Sequence, residues 1–290
     1  MSRLPNKIPD PSGNMAANGK VTFTFPRGVA YRDYTMHFQD GGVDMTLAQI
    51  KARVDTITVR VGGKAVREWT PTTLDLCNST NGAQYAGVAG YLTDWFDEPW
   101  RRTMEGEERN AWGTQGVGDI TVEIKFNGVG VTPTVEIYAF TAESDRPLRA
   151  FPIRHIRTAN VPLINGTNQW PGNGPLREVG LWYDRMHFLS ATVTSVNIEA
   201  DKYPKWDHVA RGFVSTWLAQ RGLSLQANTY SVIFSGRSLQ LVDLLASFIP
   251  GRNPVDPLDG AGLISDLRVE LTANAAGNTD VVLEQYQVFK

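Results

Sequence analysis

Hydrophobic and polar residues alternate in short blocks along most of the chain. Val21, Phe23 and Phe25 are separated by Thr22 and Thr24, the two-residue period of a strand with one buried face. Asp55-Thr56-Ile57-Thr58-Val59-Arg60-Val61 alternates the same way, and Lys64 to Trp69 runs back after Gly62-Gly63. Paired glycines between such blocks predict a tight hairpin, because both turn positions then take positive φ at no Cβ cost. Tyr31 to Phe38, Ile120 to Phe126 and Thr134 to Phe140 add strands in the first half. Thr194 to Glu199, Tyr203 to Trp206, Leu267 to Ala273 and Val281 to Phe289 add strands in the second, with a turn near Asp201-Lys202. Each half is expected to close with an antiparallel pair, 120–126 with 134–140 through Asn127-Gly128, and 267–273 with 281–289 through Ala276-Gly277-Asn278.

Helical signals are few. Leu47-Ala48-Gln49-Ile50 fits one turn. Thr70-Pro71 supplies an N-cap and a first helical residue for a short helix to about Cys77. Asp207 is expected to cap a helix from about His208 to Ala219, ended by Gly222. Leu239 to Phe248 reads as a further helix, because Leu241, Leu244, Leu245 and Phe248 recur at helical spacing. It sits in a long connection, about 235–264, stiffened by Pro250, Pro254 and Pro257. The counterpart, about 92–117, carries Trp95, Trp100, Trp112 and a charge run from Arg101-Arg102 to Glu107-Glu108-Arg109.

These parallels reflect a duplication. Asp119-Ile120-Thr121-Val122-Glu123-Ile124 returns 147 residues later as Asp266-Leu267-Arg268-Val269-Glu270-Leu271. Glu136-Ile137-Tyr138-Ala139-Phe140 returns at an offset of 148 from Glu284, and Met36-His37-Phe38 returns at an offset of 150 as Met186-His187-Phe188. Solenoid repeats run about 20–50 residues, so the duplicated object is a whole domain. The predicted organisation is an N-terminal arm over 1–19, a first domain over 20–143, a linker over 144–149 and a second domain over 150–290. The arm holds Pro5, Pro9, Pro11, Gly13, Asn14, Asn18 and Gly19 without periodicity and is expected to be extended or mobile. Many short strands with turn signals imply an all-β sandwich, barrel or jelly roll with short flanking helices. The matching long excursions favour two tandem jelly rolls.

Composition narrows the function. Of the 290 residues, 42% are hydrophobic and 20% charged, which is the balance of a folded domain. A net charge of −2 argues against a nucleic-acid coat, which needs a basic surface. No apolar run approaches the roughly 18 residues of a membrane span, and the polar start Met1-Ser2-Arg3-Leu4-Pro5-Asn6 lacks a signal core. Cys77 is the single cysteine, so an internal disulfide and a Cys-rich zinc site are excluded. Synthesis in a reducing cytoplasm without secretion is expected, which leaves the patterns Asn78-Ser79-Thr80 and Asn165-Gly166-Thr167 idle as glycosylation signals.

Candidate chemistry is sparse. No pair among His37, His155, His187 and His208 has metal-ligand spacing. His37 and His187 are equivalent in the repeat, which a strand position copied with its domain explains. Asp94-Trp95-Phe96-Asp97-Glu98-Pro99-Trp100 sets three carboxylates beside aromatic rings, the ingredients of a glycan-binding or glycan-cleaving cleft. A solvent-exposed loop with its tryptophans packed on the lobe or on a neighbour explains it better. Asp256-Pro257-Leu258-Asp259-Gly260 lacks the alternating oxygen ligands of a calcium loop, so structural calcium at a subunit contact is not indicated. No Gly-x-Ser-x-Gly, phosphate loop or dinucleotide fingerprint occurs. The expectation is no enzyme, with no catalytic, cofactor-binding or metal residues.

The layout from Gln49 to Arg67, with Asn165-Gly166-Thr167, Val179 to Phe188 and Val281-Val282-Leu283-Glu284-Gln285-Tyr286, resembles the double jelly-roll major capsid proteins of tailless, membrane-containing icosahedral viruses. The likeness is to the corticovirus type of bacteriophage capsid protein, in the adenovirus/tectivirus structural lineage, and covers about residues 20–290. It implies a homotrimer forming a pseudo-hexagonal capsomer of an icosahedral shell around an internal membrane. The implied partners are further copies, neighbouring capsomers, vertex and minor membrane-associated virion proteins, and by proximity the lipid, without direct nucleic acid. It implies a virion protein synthesised in the host cytoplasm. On that reading the arm gains order only in the particle, and the 92–117 loop presents its tryptophans at a subunit contact. The alternative is a two-domain β-sandwich that binds or cleaves glycans.

Overall fold

The computed structural model describes residues 4–101, 111–127, 133–142, 152–171, 174–235, 244–249, 251, 253 and 258–288. The chain forms two compact units, residues 1–156 and 157–288, the division falling between Ile156 and Arg157.

In the first unit the strands are β1 (Leu4–Lys7), β2 (Ser12–Gly13), β3 (Lys20–Thr24), β4 (Ala30–Asp40), β5 (Val43–Asp44), β6 (Val54–Val61), β7 (Lys64–Trp69), β8 (Tyr91–Trp95), β9 (Ile120–Phe126) and β10 (Pro133–Ala142). Helix α1 (Leu47–Arg53) precedes β6, and α2 (Pro71–Thr80) follows β7. One sheet runs β1-β10-β4, with β8 and the short β5 also on β4. The other contains β2-β3-β9-β6-β7. Gly62 and Gly63 turn the β6–β7 hairpin with φ of 55° and 83°, the left-handed conformation their sequence predicts. Thr46 and Thr70 cap α1 and α2 through reciprocal bonds with Gln49 and Thr73, and Pro71 takes the first turn of α2.

The second unit repeats the plan. It contains most of β11 (Pro152–Leu163), then β12 (Gly166–Gln169), β13 (Leu181–Phe188), β14 (Val193–Ala200), β15 (Tyr203–Ala210), α3 (Arg211–Gln220) and β16 (Tyr230–Ile233). Short strands β17 (Leu245–Ala246), β18 (Phe248–Ile249) and β19 (Gly262–Leu263) lead to β20 (Leu267–Ala273) and β21 (Gly277–Val288). One sheet contains β11-β21-β13-β16, the other is β12-β20-β14-β15. The duplicated motif falls on equivalent strands: β9 lies between β3 and β6, and β20 lies between β12 and β14. Ile120, Val122 and Ile124, with Leu267, Val269 and Leu271, are all at most 2% exposed, and the residues between them are not. Each such aliphatic side chain contributes about 1.5–3 kcal/mol by leaving water.

The architecture is therefore all-β, two jelly rolls with short helices, and it corrects four local expectations. The closing strands do not pair with each other. β9 and β10 lie in opposite sheets, as do β20 and β21. A one-face alternation is satisfied equally by a hairpin and by a crossing between sheets, so periodicity alone could not tell them apart; Gly128 lies outside the described residues. The helix expected from His208 begins at Arg211, with Ala210 at its cap and no side-chain bond to the cap. Asp207 accepts from its neighbour His208 instead, and β15 continues to Ala210 in register with Ser195. The helix expected over Leu239 to Phe248 is replaced from Leu245 by β17 and β18, while 239–243 lie outside the described residues. Backbone pairing of Leu245 and Ala246 with β13 outweighs their helical spacing, and Ser247 donates to the carbonyls of Glu178 and Leu181. Finally, the start of the arm is already structured in a single chain. β1 pairs with β10, β2 pairs with β3, and Ile8 is buried. Residues 1–3 and the 144–149 linker lie outside the described residues.

Candidate functional site

The strongest candidate in the sequence, Asp94 to Trp100, lies in the first unit. Its three carboxylates, Asp94, Asp97 and Glu98, are all fully buried. Asp94 projects from β8 toward the core and meets Arg67 of β7 at 2.5 Å, while the Trp69 indole donates to its other oxygen at 3.2 Å. The Arg67 guanidinium also donates to the carbonyls of Trp95 and Arg154, and stands about 5 Å from the rings of Phe96 and Trp112. Phe96 and Trp112 stack on each other at 4.2 Å. Asp97 faces Arg32 and Glu98 faces Arg154, each at 3.7 Å, and Arg154 lies over Trp100. Burial pulls Arg67 below its ordinary pKa against the pull of Asp94, and burial raises the Tyr34 hydroxyl beside Asp94.

A glycan cannot reach these carboxylates, and the exposed-loop expectation is corrected with it. Trp100 and Trp112 are 4% and 1% exposed inside their own jelly roll, not on a surface awaiting a subunit. Trp112 bridges Tyr31 through two backbone bonds. The charge run 102–109 lies outside the described residues. The arginines that organise the cluster, Arg32, Arg67 and Arg154, were missed. Their one signal is position: Arg67 stands two residues before Trp69 on the inward period of β7.

The histidines divide. His37, on the outer face of β4, bonds to Asp44 at 2.8 Å and stacks on Tyr91; the bond holds the Asp44 carboxyl below its usual value. The repeat-equivalent His187 is fully buried between Ser231 at 2.8 Å and Glu284 at 2.7 Å. Copying a strand position explains where both stand, but only His37 is half-buried. His155 is buried in the first unit. His208 is exposed between Asp207 and Glu270, which raise its pKa. Asp256 and Pro257 lie outside the described residues.

Open surface is found in the second unit. A groove of about 600 Å³ is lined by Tyr203, Trp206, Trp217, Phe248, Ile249 and Ile264, among others. Tyr203 and Ile249 leave 71% and 58% of their surface to solvent. A second, more polar hollow of about 460 Å³ lies over the outer face of β20 and β14, between Trp170 and His208.

The fold defines the class: an all-β protein of two tandem jelly rolls, in which Asp94, Asp97 and Glu98 face Arg67, Arg32 and Arg154 inside the first. The chain belongs to the viral coat protein P2 family: residues 5–143 match its N-terminal domain and residues 153–289 its C-terminal domain. This is a family of structural coat proteins of the virion, not of enzymes. Among curated proteins, none matches the sequence of this chain. Among solved structures it is similar to the major capsid protein P2 from Bacteriophage PM2, at 17% identity and a TM-score of 0.83, over 100% of this chain and 98% of that one. It is similar to a chain of Sulfolobus Turreted Icosahedral Virus at 11% identity, a TM-score of 0.62 and 99% and 91% coverage. It is also similar to the Faustovirus major capsid protein at 8% identity, a TM-score of 0.57 and 100% and 90% coverage.

Proposed function

We propose that this coat protein assembles as a homotrimer, and that the trimer is a pseudo-hexagonal capsomer of an icosahedral shell around an internal membrane. The observation that carries this reading is the duplication: two jelly rolls of one plan in each chain. Three such chains under cyclic symmetry present six similar lobes, and a head-to-tail contact between them closes. In this reading 20–143 and 150–290 are the lobes, 144–149 links them, and 1–19 is an arm that contacts neighbours. The partners are other copies, adjoining capsomers, vertex and minor membrane-associated proteins, and lipid by proximity. A net charge of −2 suits contact with protein and membrane better than with naked nucleic acid. The protein is made in the host cytoplasm and works by shape, without catalytic, cofactor or metal residues.

Light scattering and native mass spectrometry of the purified chain test the trimer, with three copies expected. A monomer at all concentrations up to those of particle assembly would reject it. Lipid content of purified particles tests the membrane: a shell that is complete without lipid would reject that part alone.

A further inference from the structure

Among the described residues the outer edges of β1 and β15 carry no paired strand, and the two match each other. In the first unit, β7 pairs with β6 on one side, and its other edge is bridged in parallel by Ile156 opposite Arg67. Along that capped edge, Val66, Arg67 and Trp69 are at most 3% exposed, and the capping segment Ile153, Arg154, His155 and Ile156 is at most 8% exposed. The equivalent of β7 in the second unit is β15. The registers fix the match: Arg67 faces Val59 on β6, and Trp206 faces Ile198 on β14. Among the described residues no strand pairs with the far edge of β15. Tyr203, Pro204, Lys205, Asp207 and His208 are exposed there, and Trp206 and Val209 are only half-buried.

The equivalent of the capping strand is equally unused. β11 lies beside β21 as the first strand of its jelly roll, and β1 lies beside β10 as the first strand of the other. Among the described residues the outer edge of β1 is unpaired, and Pro5, Asn6 and Lys7 are exposed. Ile8 donates its N–H to Ile137, so by alternation Lys7 turns its backbone groups outward. Pro5 and Pro204 have no N–H to offer, which limits either edge to a short contact and guards it against indiscriminate pairing. The bridge at Ile156 is equally short, a single residue pair.

Resting on the trimer reading, we propose that β1 of one copy pairs in parallel with the free edge of β15 in the next copy, with Lys7 near Trp206. The occupant is a second copy of this chain because the matching edge in the first unit already receives the matching strand. The contact is heterologous: each copy gives β1 and receives on β15, so it does not stop at a dimer, and under the threefold symmetry of the trimer it closes into a ring. It also sets a neighbour at the mouth of the apolar groove beside Tyr203 and Trp206.

The test is disulfide trapping in the full chain. Cysteines at Asn6 or Lys7 are combined with cysteines at Lys205 or Asp207, all exposed positions whose replacement leaves the core intact. Single-cysteine variants control for the buried Cys77. The expected result is a covalent trimer on oxidation of at least one double variant, lost on reduction and absent from every single variant. A native trimer in which no pair cross-links overturns this contact and leaves the trimer standing. A monomer by mass overturns both. Dimers linked through single cysteines in β15 also overturn it, since they show an isologous edge.

Discussion

Arg67 and Trp206 occupy the same position in two copies of one sandwich, and the two copies treat it in opposite ways. Arg67 is fully enclosed, neutralised by Asp94 and flanked by Phe96 and Trp112. Trp206 is half-buried, packs edge-on against Trp217, and donates to the Tyr230 hydroxyl at 3.0 Å. Tyr230 in turn donates to the Val209 carbonyl, and burial pushes its pKa up to about 12. Each arrangement ties the edge strand of one sheet to the facing sheet, once by an ion pair and once by aromatic hydrogen bonds. The difference teaches that the backbone register is what duplication preserved. The side chains that close the sandwich were free to change, with Asp94 partnering Arg67 in one copy and Tyr230 partnering Trp206 in the other.

The largest effect should come from attacking what the copies share. Val122 and Val269 are buried at matching points of β9 and β20. Val122→Asp and Val269→Asp each place an unpaired carboxylate in a core, and each should cost about 4 kcal/mol or more in chemical unfolding. Comparable losses support one shared frame. An unchanged melting temperature for either variant would show that its strand does not face a core.

Next comes the position where the copies differ. Arg67→Met leaves Asp94 buried without its cation and should cost about 3–5 kcal/mol. The double variant Arg67→Met with Asp94→Leu should recover most of that loss, because an apolar pair of similar volume needs no desolvation. Trp206→Ala should cost less, about 2 kcal/mol, since its ring is only partly buried. If the double variant is no more stable than the single, the ion pair is not the source of the loss.

How far this was legible in the sequence follows from the same comparison. The frame was legible because a strand with one buried face must alternate, and Ile120-Thr121-Val122-Glu123-Ile124 does so without exception. The Gly62-Gly63 turn and the Thr70-Pro71 cap were legible because local stereochemistry alone selects those residues. What lay beyond reach was decided by distant partners. Whether β9 meets β10 or crosses to the other sheet depends on β3, β4 and β6, not on the turn between them. Arg67 reads as a surface residue until Asp94, 27 residues away, is brought beneath it. Leu244, Leu245 and Phe248 are buried, as an apolar stripe should be, but they are not helical, because β13 supplies backbone bonds to Leu245 and Ala246 that spacing cannot reveal.

The hairpin turns allow a gentler test. Gly62 and Gly63 take positive φ freely, whereas the second unit places Asp201 and Lys202 at φ of 50° and 68°. A left-handed non-glycine residue costs roughly 1–2 kcal/mol. Asp201 recovers that cost by accepting from the Ser265 hydroxyl and the Asp266 N–H, while Lys202 has no such bond among the described residues. Lys202→Gly should therefore stabilise the protein by about 1 kcal/mol or less, the relief being offset by added freedom in the unfolded chain. Asp201→Gly should destabilise it. The same sign for both substitutions would break the argument.

The smallest effect concerns the open edge of β1. Lys7 donates to Glu136 at 2.7 Å, and this bond, with one from Tyr138, holds Glu136 below its ordinary pKa of 4.5; Glu136 in turn raises Lys7 above 10.5. The signs define a window. The carboxylate's contribution is complete above its unfolded pKa and is lost as pH falls through its lowered folded value. The ammonium's contribution is complete below its own unfolded pKa and is lost as pH rises through its raised folded value. β1 is thus held best between the two and loosens at both ends, modestly, because the pair is exposed and screened by salt. The readout is the hydrogen-exchange protection of the Ile8 amide, which donates to Ile137. Protection should fall at acid pH in the native chain and be flat there in Glu136→Gln. If a neighbouring copy covers this edge as proposed, the assembled protein should lose most of the pH dependence that the dissociated chain displays. A profile identical in the two states would separate the edge of β1 from the subunit contact.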